Sequence, residues 1–462
     1  MPSNIKGKDL RNDPRILKAL ELIDEAVKDQ QKNCHKLHGP NPEFENSYKE
    51  LLKEFGKLRG ANVFYPYIGS GIGSGPFVEL MDGSTKYDFI TGIGVHYMGH
   101  SHPGVIKAEV LGALANTTMS GNLQQNADSV ELFDLIVKEA KKYGANLDHL
   151  FLTSSGAMAC ENALKMAFSK KSPAYRVLAF KKCFIGRTMA LAQITDKAAY
   201  RKGLPQTLHV DYLSFYDESD HEGSIKRVED ELSNYFNRYP TEYAAICMEL
   251  IQGEGGYFVG NEDFFKAIIK KCKEHNVTII VDEVQSFART EKLFAFQYFN
   301  LDKEVDIVTF GKNTQVCGTL YNADHKPPPG LISQTFTSSN SAISAAKFII
   351  QTIIEENYLG KDGKINQIHE HFSGNLKKLS EKYPDKLQGP FGIGSMVGMT
   401  LFGGDFEKSK KFTIKLFENG VLSFIAGSLP TRVRFLAPVG AVEMYHIDEV
   451  CELIEKTLVE IE

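Results

Sequence analysis

Three places in the chain put a chemically capable side chain where an apolar run ends. In "VDIVTFGKNTQVCG" (305–318), Val305, Ile307, Val308 and Phe310 read as a short buried strand. Gly311 breaks it, and Lys312 stands at the open carboxyl end. An amine there is either an ordinary loop cation or, once shielded from water, a nucleophile able to form a Schiff base with an aldehyde. In "VTIIVDEVQ" (277–285), Val277, Ile279, Ile280 and Val281 lead to Asp282 and Glu283. A carboxylate closing such a strand has to be paired. It is a metal ligand, a base, the partner of a buried cation such as a protonated ring nitrogen, or a structural acid. In "HLFLTSSGAMACENALK" (149–165) a strand passes through Ser154, Ser155 and Gly156 into a helix. The free N–H groups and positive dipole end of that helix suit a phosphate, or the helix is simply capped by serine.

Each of these features has a bland reading alone. Together, an imine-forming lysine, an acid for a ring nitrogen and a phosphate cradle are what pyridoxal 5'-phosphate requires of a protein. In open parallel sheets such groups collect beyond the carboxyl ends of the strands, so the elements around them must form a sheet of that kind. "LDHLFLTSS", "YRVLAFKK", "EYAAICMELI", "VTIIVDEV" and "VDIVTFG" read as strands, and "AMACENALKMAFSKK" and "EDFFKAIIKKCKEHN" as helices. The alternation predicts an α/β fold with a mostly parallel sheet covered by helices on both faces.

The expected organisation is a helical extension with part of a small domain over 1–105, a large cofactor-binding domain over 106–345, and a small α+β domain completed by 346–462. "DPRILKALELIDEAVKDQQ" carries Ile16, Leu17, Leu20, Ile23 and Val27 at helical spacing behind Asp13 and Pro14, and "SYKELLKEFGKL" is a second helical piece. "HIDEVCELIEKTLVEIE" has an apolar stripe of Ile447, Cys451, Ile454, Leu458 and Ile461. "GSGIGSGP" alternates its glycines too strictly for a dinucleotide fingerprint and reads as a turn between strands.

At 462 residues, with 42% hydrophobic and 24% charged content and a net charge of −5, the chain is an ordinary globular protein of two or three domains. No dense basic block points to nucleic acid, and no run approaches the ~20 apolar residues of a membrane span. The seven cysteines are scattered and form no CxxC pair, which suits free thiols. "MPSNIKGKDLRNDPR" lacks the apolar core of a secretory signal, so cytoplasm is the expectation. His96, His100 and His102 cluster as HxxxHxH, a weak metal signal, and no metal site is expected there; Cys317, with no histidine near in sequence, reads as a packed thiol.

Seven stretches in order carry a family resemblance: "GIGVHYMGHSHPGV" (92–105), "TSSGAMACENALK" (153–165), "FIGRT" (184–188), "ELIQGEGG" (249–256), "VDEVQ" (281–285), "FGKNTQVCG" (310–318) and "VRFLAP" (433–438). From about Phe64 onward the chain resembles the class III aminotransferases, pyridoxal-phosphate enzymes of fold type I, and the run around Lys312 is most like the L-lysine 6-aminotransferases. The resemblance implies that Lys312 carries the cofactor and later shuttles a proton. It implies that Asp282 pairs with the pyridine nitrogen, that Val284 and Phe184 pack on the two ring faces, and that Gln285 reaches the phenolic oxygen. Ser155, Gly156 and Ala157 would take the phosphate, with Thr335 or Thr337 reaching that of a neighbouring subunit, Thr335 being slightly preferred. Arg187 would bind the far carboxylate of an ω-amino donor. Glu254 would mask Arg434 and then release it to 2-oxoglutarate.

The implied reaction moves a terminal amino group to 2-oxoglutarate, giving an aldehyde and L-glutamate, in a homodimer with its active sites at the subunit interface. L-lysine is the leading donor, with 4-aminobutyrate, ornithine and acetylornithine as alternatives and a non-catalytic binding protein as a further one. The chain departs from the family at Ile185, where histidine is usual, and at Met158, where glutamate is common. The glycine-rich run after Gln285 is one residue short, and serines replace glycines in "QTFTSSN".

Overall fold

Strand–helix alternation in the middle of the chain produces one seven-stranded sheet in the computed structural model, which describes residues 5–461. The first four residues of the amino-terminal stretch read above, and residue 462, lie outside it. The strands are β1 (His149–Thr153), β2 (Arg176–Phe180), β3 (His209–Leu213), β4 (Tyr243–Met248), β5 (Thr278–Glu283), β6 (Ile307–Phe310) and β7 (Cys317–Tyr321). Their spatial order is β1-β7-β6-β5-β4-β2-β3. β6, β5, β4, β2 and β3 pair in parallel, whereas β7 runs antiparallel to both β6 and β1. Two antiparallel steps return β1 to the direction of the parallel set. Six of the seven strands therefore end on one edge, and that edge is where the three chemically capable stretches meet.

Every residue of β2 and β4 is buried. A strand with one wet face would alternate, so both faces of the sheet are covered. The helices that belong with the sheet begin where a polar side chain can satisfy a free N–H. α1 (Ala127–Ala140), α2 (Gly156–Lys171), α3 (His221–Arg238), α4 (Glu262–Glu274) and α5 (Asn340–Glu355) are capped by Asn126, Ser155, Asp220, Asn261 and Ser339 in turn. In α4 the buried set is Phe264, Phe265, Ile268, Ile269 and Cys272, the stripe its periodicity requires.

The chain divides into two compact units. One, Asn116–Asn366 with Phe391–Met396, contains the sheet. The other is Met1–Ala115 with Gln367–Pro390 and Val397–Glu462. In this second unit both expected amino-terminal helices form. Asp13 caps Pro14–Gln31 by accepting the Arg15 N–H at 2.9 Å, and Glu45–Arg59 ends at Gly60, left-handed at φ 75°. Ile447, Cys451, Ile454 and Leu458 are the buried stripe of helix Met444–Glu460.

"GSGIGSGP" corrects one expectation. Gly69–Ser74 is itself a strand, antiparallel to Phe77–Leu80, and the turn is confined to Gly75 and Pro76. Glycine is needed within the strand because a Cβ on Gly73 would fall 2.6 Å from that of His100. The three histidines are used separately. His100 Nε2 lies 2.9 Å from Asp88 Oδ2, and His102 Nδ1 accepts the Gly104 N–H at 3.1 Å to start helix Pro103–Ala113. The His96 ring sits 4.6 Å from that of His100. Arg434 also belongs to this unit. It lies on strand Arg432–Leu436, opposite Phe424, fully buried with its guanidinium carbon 5.8 Å from the Phe424 ring. Among the described residues the cysteines are all free, and no helix is long and apolar enough to cross a membrane.

Candidate active site

At the end of β5 the pleat sends consecutive acids to opposite faces. Asp282 turns toward α2. Its Oδ1 accepts the Val284 N–H and the Thr309 hydroxyl, each at 2.9 Å, and its Oδ2 meets the Cys160 thiol at 3.4 Å. Burial pushes this carboxyl above its ordinary value, opposed by those three donors and by the nearby charge of Lys312. The half-buried Asp282 thus keeps one oxygen with only a weak donor. Glu283 turns the other way and is fully enclosed. It accepts Ala295 N–H at 2.7 Å and Phe296 N–H at 2.8 Å, so it is the structural acid of the pair.

Lys312 follows the last residue of β6 by two positions and opens a short 3₁₀ turn, Lys312–Thr314, that leads into β7. Its backbone is left-handed, at φ 57°, as is that of Gln315 at φ 60°. Gly311 is extended; glycine is required there by crowding, since a Cβ would lie 2.7 Å from Cys317 Sγ. Burial pushes the Cys317 thiol up to about 11, so it is protonated near neutral pH and is a packed thiol.

Ser155, Gly156 and Ala157 form the first turn of α2, next to the carboxyl end of β1. Ser155 Oγ accepts the Met158 N–H at 3.2 Å, so it caps the helix and still has its own hydrogen to donate. A Cβ on Gly156 would fall 2.8 Å from Val284 Cγ1, which places Val284 directly against this helix start. The two threonines differ. Thr337 is buried and donates its hydroxyl to the Ser120 carbonyl at 2.9 Å, whereas Thr335 is exposed.

Phe184, Ile185, Gly186 and Arg187 form the loop after β2. Ile185 N–H and Gly186 N–H both reach Thr195 Oγ1, at 3.0 and 3.2 Å, and Ile185 is buried. Arg187 is exposed, with its guanidinium carbon 4.0 Å above the Tyr200 ring and 5.6 Å from that of Phe184. It forms no ion pair among the described residues. Glu254 lies in the loop after β4, one residue beyond Gly253, and the Gln285 amide packs so closely on Gly253 that a Cβ there would overlap it.

Sequence reasoning missed Glu249, Thr309 and Cys160. Glu249 follows the apolar run "YAAICM", as Asp282 follows its own, so the strand-end argument could have found it. Thr309 is the residue registered with Asp282 across β5 and β6, and Cys160 is one helical turn past Gly156. Both signals require knowing the strand order.

An amine, a half-buried acid and a helix start are gathered at one sheet edge. The chain belongs to the class III aminotransferases: residues 68–458 match the family model described as "Aminotransferase class-III". The acetylornithine aminotransferase of Methanocaldococcus jannaschii is 30% identical over 412 residues, covering 84% of this chain and 93% of the relative. The 5-aminovalerate aminotransferase DavT of Pseudomonas aeruginosa is 30% identical over 406 residues, covering 82% and 91%. The lysine aminotransferase of M. tuberculosis shares the fold, with a TM-score of 0.79 at 22% identity over 89% of this chain and all of the other.

Pyridoxal 5'-phosphate is the cofactor of this family, and the residues present fit it. Asp282 Oδ2 is a carboxylate oxygen that lacks a strong donor, and Gly156 leaves the helix start without a side chain.

Proposed function

We propose that the protein transfers the terminal amino group of an ω-amino donor, with L-lysine leading, to 2-oxoglutarate, giving an aldehyde and L-glutamate. The observation that carries the donor class is Arg187. An exposed guanidinium steadied on an aromatic face, with no acid paired to it among the described residues, is suited to the distal carboxylate of a donor. The bound cofactor supplies an electron sink. Lys312 Nζ would hold it and would carry a proton to and from the donor carbon that bears the amine. Asp282 Oδ2 would hold the ring nitrogen protonated, with Val284 and Phe184 on the two ring faces and Gln285 at the phenolic oxygen. Ser155, Gly156 and Ala157 hold the phosphate. Glu254 neutralises Arg434 for the donor and exposes it for the α-carboxylate of 2-oxoglutarate, so one pocket serves two charge layouts.

The working unit is a homodimer. Thr335, whose side chain is exposed, serves a neighbouring subunit's phosphate better than Thr337, whose hydroxyl is spent on Ser120. The names of the 30% identical relatives support a second reading, with acetylornithine or 5-aminovalerate as donor. A panel of lysine, ornithine, acetylornithine, 4-aminobutyrate, 5-aminovalerate and putrescine with 2-oxoglutarate, read as glutamate formed, decides between them. Lysine is expected to give the highest kcat/KM. A higher value for acetylornithine would replace the leading donor, and no glutamate from any donor would sink the ω-amino reading.

A further inference from the structure

One residue past β4, Glu249 is 6% exposed and holds two loops at once. Its Oε2 accepts the Phe184 N–H at 2.8 Å, and its Oε1 accepts the Gly253 N–H at 3.1 Å. The first amide opens the loop that ends at Arg187, and the second immediately precedes Glu254. The same two loops are tied again one step away. Gln252 Nε2 donates to the Lys181 carbonyl at 2.8 Å, and a Cβ on Gly255 would come within 2.8 Å of the Lys182 carbonyl. Segments distant in sequence are thereby fastened at two adjacent points, one of them an enclosed carboxyl that serves both loops.

We propose that Glu249 is the positioning residue that holds the loop bearing Arg187 against the loop bearing Glu254 at the sheet edge and so sets the reach from Arg187 to the reacting amine, the length of donor the site accepts. This rests on the roles given above to Arg187 and Glu254. A donor carries its distal carboxylate at a fixed reach from its reacting amine, and a misplacement of about 1 Å in such a clamp costs roughly a hundredfold in rate. Glutamate suits the task because each of its oxygens can accept one N–H. A carboxamide of the same shape accepts through one oxygen and turns a second donor against the other N–H.

The test uses the full-length holoenzyme and its Glu249→Gln variant. Amide hydrogen exchange of the peptides containing Phe184 and Gly253 should accelerate about tenfold in one loop, the one whose N–H meets the carboxamide NH2, while the N–H on the remaining oxygen stays protected, as for loss of one net hydrogen bond. In parallel, 4-aminobutyrate, 5-aminovalerate and 6-aminohexanoate are compared as donors. The preference for the best over the next-best length should fall by about tenfold, through KM more than kcat, as clamp spacing is lost. Unchanged exchange at both amides overturns the staple. Faster exchange with chain-length preference intact overturns the role in specificity. If the wild type uses none of these three donors, the role in donor length is overturned, while the ω-amino reading stands or falls on the wider panel and exchange still decides the staple. Should the Gln variant not fold, Glu249→Asp, one methylene short, is expected to release one amide and keep the other protected; protection of both overturns the proposal.

Discussion

Asp282 and Glu283 are neighbours on one strand and both acids, one half-buried and the other fully enclosed, yet they end in different employment. Glu283 has each oxygen filled by a backbone N–H of the Ala295–Tyr298 turn, and burial pushes it up to about 8. Asp282 has one oxygen filled twice and the other touched only by a thiol, with Lys312 close enough to influence its charge. An enclosed acid becomes useful to a ligand when its own protein leaves it incompletely bonded. The pleat alone decides which of the two acids faces which surroundings.

Substitutions should separate the two faces. Lys312→Ala is expected to abolish steady-state transamination while circular dichroism and the thermal midpoint stay close to wild type; appreciable turnover would remove the lysine from the chemistry. Asp282→Asn, which leaves a ring cation without its counter-charge, should lower kcat/KM by a hundredfold or more, given about 3 kcal/mol for breaking an enclosed pair. Glu283→Gln on the other face should instead cost about 1–3 kcal/mol of stability by turning a donor against an N–H, with kcat/KM little changed. A large loss of activity in that variant would erase the distinction between the faces. Arg187→Ala should raise KM for carboxylate-bearing donors about tenfold or more and leave putrescine nearly unaffected.

The two faces also leave a mark on the pH dependence of stability. Glu249 and Glu283 both stand at about 8 in the folded protein, against an ordinary 4.5. Burial raises each, and Asp282 adds to Glu249. The folded state then binds more protons than the unfolded one, so this contribution to stability is greatest below about 4.5 and is lost as pH rises through about 8. Between pH 6 and pH 9 it amounts to roughly 2–3 kcal/mol per group. Thermal midpoints at those two pH values should lie closer together in Glu283→Gln than in wild type; an equal spread would show that Glu283 does not titrate there.

The strands and most helices were legible because their apolar residues recur at periods that only one geometry buries, as in β4 and α4. The strand ends were legible for the same reason, since a charged residue closing such a run has nowhere else to be. What could not be read was partnership across the sheet. Thr309 meets Asp282 only because β6 lies beside β5, and Glu249 joins Phe184 to Gly253 only because β4 lies beside β2. "GSGIGSGP" misled because glycine marks a turn in most contexts, while here it lets a strand pass close to His100.

The tight reversal that bears Lys312 has a dynamic consequence. It is bounded by β6 and β7, each hydrogen-bonded to a neighbour on its far side, and the Gln315 N–H returns to the Lys312 carbonyl at 3.0 Å. The backbone under this side chain is thus held from both sides, so its nitrogen reaches different positions chiefly by rotation about the aliphatic stem. Such rotations run on the picosecond-to-nanosecond scale. The proton carrier would then be ready long before any rearrangement of the surrounding loops.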